Sequence, residues 1–195
     1  MSEDEIQSKE EISILPKEFP RIFGLWLSQS FSEQANIMNS GIAELEKLKI
    51  NPSTAASMKK SMFRLDEVLI GLTTAKEVRI TTNEMGSDFI FSEPDPYADE
   101  ENKKLLQTLY DINIDNPLTK RFKAALQHRL GNGLAMVHTY SELLTGEKDI
   151  SEAARRIAGE IHTASNQLQE KLNPIYQAKK IGVKKGDQGI AADFN

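Results

Sequence analysis

His128, Arg129 and Asn132 form the most chemically capable cluster in the sequence. A neutral imidazole nitrogen is a nucleophile toward phosphoryl groups, a guanidinium offers a planar fork that suits phosphoryl or carboxylate oxygens, and a nearby carboxamide can orient water. His128 lies two residues from both Leu126 and Leu130. On a helix that separation is about 200°, so burial of the two leucines turns the imidazole outward, where a second protein can reach it. His138 and His162 sit beside the apolar stripe residues Val137 and Ile161 and read as boundary histidines with satisfied hydrogen bonds. With no cysteine in the chain there is no disulfide, thiolate nucleophile or Cys-ligated zinc, and the histidines lack a metal-ligand spacing, so neither a metal nor a cofactor is expected. The acidic run Asp95 to Glu101 has no calcium-loop spacing and reads as a solvated linker and helix start.

These residues need long helices to position them. From Phe19 to Leu48, apolar residues at Leu27, Phe31, Met38, Ile42, Leu45 and Leu48 follow the three-and-four spacing of one buried stripe. Asn51-Pro52 is a start signal for a second helix, with a stripe at Ala55, Met58, Met62, Leu65, Leu69 and Leu72. The two should form a hairpin over residues 19–77. VRITT and DFIFS, flanking a turn at Asn83 and Gly86, predict a short β-hairpin in a connector over residues 78–115. After Pro94-Asp95-Pro96 a short helix from Glu100 to Ile112 would bury Leu105, Leu109 and Ile112.

Asn116-Pro117 repeats the start signal, and a third helix to about Thr145 would bury Leu126, Leu130, Val137 and Leu144 before Gly146 stops it. Asp149 and Ser151 are cap candidates for a fourth helix, striped Ala154, Ile157, Ile161, Ala164, Leu168 and Ile175. The second hairpin spans residues 116–181. The ends, residues 1–18 and 182–195, are polar or lack periodicity and are expected to be disordered. The hairpins share modest self-similarity: Phe31 falls where Leu130 falls, Ala35 where Leu134 falls, and the second helices end in Ala75-Lys-Glu-Val and Ala178-Lys-Lys-Ile. If this is a degenerate repeat, Gln29 and Ser30 stand opposite the histidine, and the first half is silent. The fold class is therefore mainly α: antiparallel long-helix hairpins forming a four-helix bundle, closed within one chain or by dimerisation. Trp26 reads as a core or hairpin anchor.

Hydrophobic residues make up 39% of the chain and its formal charge is -5. That balance argues against a basic nucleic-acid-binding face. No apolar run approaches the roughly 18 residues of a membrane span, and the acidic start lacks the features of a signal peptide. A cytoplasmic protein with neither nucleic acid nor membrane as partner is expected.

The string His128-Arg-Leu-Gly-Asn-Gly-Leu-Ala-Met-Val-His-Thr-Tyr-Ser-Glu-Leu-Leu144 resembles the phosphoacceptor box of two-component histidine kinases, H-E-L-x-N-P-L-x-x-I-x-x-Y-x-E-L-L. Agreement falls at His128, Leu130, Asn132, Leu134, Tyr140, Glu142, Leu143 and Leu144, with Val137 at the isoleucine position. The resemblance covers Phe122 to Ile181 and is to the dimerisation and phosphoacceptor hairpin of that family. It implies that His128 carries a phosphoryl group and that Asn132 helps orient water for dephosphorylating a partner. Two departures change the expected chemistry. Arg129 stands where the family has an acid that draws the imidazole proton, and Gly133 replaces its proline. The stretch after Ile181 is too short for the family's ATP-binding domain, so a complete histidine kinase is not expected. A single-chain phosphotransfer domain, with motif H-x-L-K-G, fits Gly131-Asn132 less well.

Three functions follow from the resemblance. The first is a histidine phosphotransfer and dimerisation module served by a response-regulator receiver domain or a separate kinase. The second is a noncatalytic adaptor that sequesters such a partner, and the third an aspartyl-phosphate phosphatase acting through Asn132.

Overall fold

The computed structural model describes residues 11–15, 18–84, 86–108, 116–117, 119–186 and 189–194. The chain is mainly helical, with two small antiparallel sheets. Strand β1 (Glu11–Ile14) precedes α1 (Glu18–Lys47) and α2 (Pro52–Thr74). Asn51, at φ 36°, turns the chain, and its side chain accepts from the Thr54 amide, as the Asn-Pro signal predicts. Strands β2 (Val78–Asn83) and β3 (Gly86–Phe91) form the expected hairpin, with Asn83 paired to Gly86. Helix α3 (Ala98–Thr108) covers the start of the predicted connector helix, while Leu109 and Ile112 lie outside the described residues.

The second half begins differently from expectation. Asn116–Pro117 is strand β4, paired with Ile181 and Lys180, and α4 (Lys120–Leu126) starts three residues later under a Thr119 cap that accepts from the Phe122 amide. Strand pairing claims the Asn-Pro pair before a helix can. The third helix is also interrupted: a π turn at Gln127–Gly131 separates α4 from α5 (Asn132–Gly146). Helix α6 (Glu152–Gln177) is capped by Ser151, whose hydroxyl accepts from the Ala154 amide. The ends differ most. Glu11–Ile14 pairs with β2, and the expected disordered tail forms strands β5 (Lys180–Gly186) and β6 (Gly189–Phe194). Ordering there is offset by burial of Ile181 and Val183 and by Phe194 lying edge-on to Trp26, ring centroids 5.4 Å apart.

The two halves share one plan. Each runs strand, helical hairpin, β-hairpin, and each sheet has the order first strand, second strand, third strand. The β-hairpins turn at Gly86 (φ 126°) and Gly189 (φ 131°), a region that disfavours any side chain. Ala75 and Ala178 end α2 and α6 in the same extended conformation, each amide bonding back to the carbonyl four residues earlier. Buried Val78 and Ile80 answer to buried Ile181 and Val183.

Helix α1 packs on α2 and α6, and α5 packs on α6 and α2. Each β-hairpin crosses to the other half, β3 lying against α4 and the π turn, β6 against α1. Phe23 and Phe122, which occupy matching places, meet edge-on at 5.1 Å inside one core that spans both halves. The predicted stripes are its backbone, except that Leu48 is exposed. Among the described residues no helix is long and apolar enough to cross a membrane.

Candidate functional site

Leu126 and Leu130 are both fully buried, which fixes the orientation of the turn between them. His128 is exposed, as is Asn132. The π turn takes up an extra residue, closed by the Asn132 amide bonding to the Gln127 carbonyl, and His128 and Asn132, four residues apart, share one outward face. That ridge continues down α5 through Met136, 44% exposed, and Leu143, 63% exposed. Beneath it Leu134, Val137 and Leu144 are buried and anchor the helix to the core.

Arg129 points elsewhere. Its Nε ion-pairs with the Asp88 carboxylate on β3, both side chains being about one third exposed. The guanidinium therefore ties the π turn to the β-hairpin of the first half. A pair this open to solvent contributes about 0–1 kcal/mol, so it can be exchanged for another anion at small cost.

The two glycines have separate explanations. A Cβ at Gly131 would meet the end of the Gln127 side chain at 2.3 Å, whereas one at Gly133 would rest 3.5 Å from the Ser61 carbonyl oxygen of α2, an ordinary contact. Gly133→Ala is therefore expected to raise stability by about 0.5–1 kcal/mol, the helical advantage of alanine. A urea unfolding midpoint checks it, and a lower midpoint would mean that α2 and α5 cannot accommodate the methyl group.

Two further places bury titratable rings. His138 on α5 and His162 on α6 stack at 4.1 Å, and His138 Nδ1 lies 3.4 Å from the Ser165 hydroxyl. His162 Nδ1 is buried with no hydrogen-bond partner among the described residues, contrary to the expected full satisfaction of both rings. Beside the π turn, Gln127, Gly131, Gln169, Asn173 and Tyr176 line a small cavity. The Tyr176 hydroxyl is buried with no partner among the described residues, and desolvation pushes its pKa above the ordinary value of 10.0.

A raised folded-state pKa means the folded protein holds this proton longer than the unfolded chain does. Stability is then complete below the ordinary tyrosine value and falls as pH rises beyond it. Tyr176→Phe should leave the urea midpoint near neutrality almost unchanged and flatten its decline between pH 9 and pH 11. An equal decline in both proteins would assign the alkaline sensitivity to other groups.

The acidic connector is solvated and starts a helix as expected, with Asp99 and Glu100 exposed in the first turn of α3, but Asp95 and Glu101 turn to a buried cation. Arg21, 2% exposed in α1, bonds Asp95 Oδ2 at 2.6 Å and also ion-pairs with Glu101. Asp95 is 8% exposed. Arg21 lies in the otherwise apolar run Phe19-Pro-Arg-Ile-Phe23, and that interruption is the sequence signal for a buried, paired charge. Among the described residues no group of three or more histidines and carboxylates could hold a metal ion.

Comparison with protein-family models, with curated proteins and with solved structures gave no match. The functional reading therefore rests on the chain's own residues and geometry.

Proposed function

We propose that the protein is a histidine phosphotransfer module of two-component signalling, with His128 as phosphoryl carrier and a receiver domain or a separate kinase as donor. The observation that carries this reading is the exposed His128 on a π turn, beside exposed Asn132, above a tightly packed helical core. The similarity of the string from His128 to Leu144 to the kinase phosphoacceptor box supports it. In the transfer step, the lone-pair nitrogen of the imidazole attacks phosphorus of an aspartyl phosphate. The N–P bond forms as the P–O bond to the aspartate breaks, and the carboxylate leaves as an anion. With Arg129 drawn to Asp88, no acid adjoins the imidazole in sequence, and an incoming aspartate is the natural counter-charge for the ring.

The helical core is read as a four-helix bundle of α1, α2, α5 and α6 closed within one chain, a fused pseudo-dimer with one chemically active half. The matching plans of the two halves and the Phe23–Phe122 contact support this. The expected mass by light scattering is that of one chain, 21.9 kDa. A stable species of twice that mass would overturn closure within the chain.

A second reading, an adaptor that docks a receiver domain without phosphotransfer, draws on the exposure of Met136 and Leu143 on the same ridge. Receiver domains bearing phosphate separate these readings. Loss of transfer in His128→Ala with binding retained supports the carrier, while equal binding without label on either protein supports the adaptor. Faster loss of receiver phosphate that depends on Asn132 and not on His128 would assign a phosphatase.

A further inference from the structure

The buried stripes bring the two halves into register. Leu27, Phe31, Met38 and Leu45 match Leu126, Leu130, Val137 and Leu144, while Met58, Leu65 and Leu72 match Ile161, Leu168 and Ile175. Two equivalent outer faces result, one where α2 packs on α5 beside His128, the other where α6 packs on α1 beside Gln29. Their surfaces differ. Ile70, 58% exposed, borders the cleft that Arg129 lines, and Phe63, 64% exposed, lies two turns before it on the same line of α2. With exposed Leu143 on α5 they make the first face apolar, whereas the matching positions of the second face are exposed Asn166, Asn173 and Glu44. Because the same backbone plan carries polar side chains there, the fold does not require the apolar ones.

Charge divides the faces in the same way. Lys60 and Arg64 are exposed and have no hydrogen-bond or ion-pair partner among the described residues; the second face has Thr163 and Gln167 in their places. Gln167 Oε1 accepts from Gln34 Nε2 at 3.4 Å, but the residue matching Gln34 is Gly133, so Arg64 looks across to α5 at a position without a side chain. The second face is also closed by its own contacts. Lys171 Nζ donates to the Ser30 carbonyl at 2.6 Å and to Gln34 Oε1 at 2.8 Å, and Gln29 accepts from the Ile190 amide of β6 at 2.9 Å. Glu67 recurs as Glu170 and does not distinguish the two.

We propose that, of the two faces, only the one between α2 and α5 docks protein, and that it takes a single copy of the phosphoryl donor through an apolar patch flanked by carboxylates. Phe63, Met136 and Leu143 meet the patch. Lys60 and Arg64, free cations in a chain of formal charge -5, meet the carboxylates without breaking an existing ion pair. The half without the histidine thus supplies the charge that selects the partner. This assignment rests on the reading of His128 as phosphoryl carrier.

Phosphorylated receiver domains would be titrated calorimetrically into the His128→Ala chain, which leaves the phosphate on the receiver, with label transfer followed separately on chains that keep His128. One receiver per chain is expected. Joint Lys60→Glu and Arg64→Glu should weaken binding about 10-fold and flatten its salt dependence, and Leu143→Asp should weaken it about as much. Joint Thr163→Glu and Gln167→Glu, the same charges on the second face, should leave it unchanged. Two receivers per chain, equal weakening by the Thr163 and Gln167 pair, or full affinity in the Lys60 and Arg64 pair would each overturn the proposal. Undiminished label on His128 in the Lys60 and Arg64 pair would remove this face and leave phosphotransfer standing. Binding lost in that pair, with no label on the parent, would keep the face and remove phosphotransfer. No binding by any receiver would overturn both.

Discussion

Phe122→Ala is expected to lower the free energy of unfolding by about 3–5 kcal/mol. The ring is 1% exposed and contacts three others, Phe19 at 5.3 Å, Phe23 at 5.1 Å and Phe89 at 5.5 Å. Those partners come from α1 and β3, so one truncation empties the place where the two halves and the crossing hairpin meet. A urea midpoint with an unchanged slope would report this as a loss of stability alone. Leu143→Ala, on the exposed ridge, is the contrasting variant and should fall within about 0.5 kcal/mol of the parent. Similar midpoints for Phe122→Ala and the parent would mean that the two halves do not share a core.

Arg21→Met should cost about 3–5 kcal/mol, the penalty for leaving a buried carboxylate without its cation. Asp95, 8% exposed, loses its buried cation while keeping the Tyr97 amide, and the more open Glu101 loses a contact that solvent can replace. The same residues dock α3 and the connector onto α1, so the loss should also appear as earlier proteolysis within the connector than in the rest of the chain. Combining Arg21→Met with Asp95→Asn should recover part of the loss, because the buried negative charge is then gone. A double variant no better than the single one would place the cost in packing of the arginine stem instead.

Much of this architecture is legible from local pattern. The stripes through Leu27, Phe31, Met38 and Leu45, and through Ile161, Ala164 and Leu168, are buried as the helical period requires. The Asn51-Pro52 start, the Ser151 cap and the hairpin between Val78 and Phe91 follow from side-chain chemistry within a few residues. What local pattern misses depends on distant partners. Asn116-Pro117 carries the same letters as Asn51-Pro52, yet pairing with Lys180 and Ile181 makes it a strand. Ile181 and Val183 alternate too briefly to announce β5, and Trp26 and Gln29 on α1 supply the partners of Phe194 and of the Ile190 amide.

The candidate site shows the same division. The outward face of His128 follows from Leu126 and Leu130, but the π turn does not follow from the two glycines, and Arg129 meets an acid of its own chain on β3 that no spacing in the sequence relates to it.

The most direct test of the account is whether phosphate resides on His128. The purified chain would be incubated with a panel of phosphorylated receiver domains, and acid-labile, alkali-stable phosphate would be mapped by peptide analysis at neutral pH. The account predicts label on the peptide holding His128 and none in His128→Ala at equal receiver binding. Receiver binding by both proteins with no phosphate on either would contradict it and leave the ridge from His128 to Leu143 as a docking surface alone.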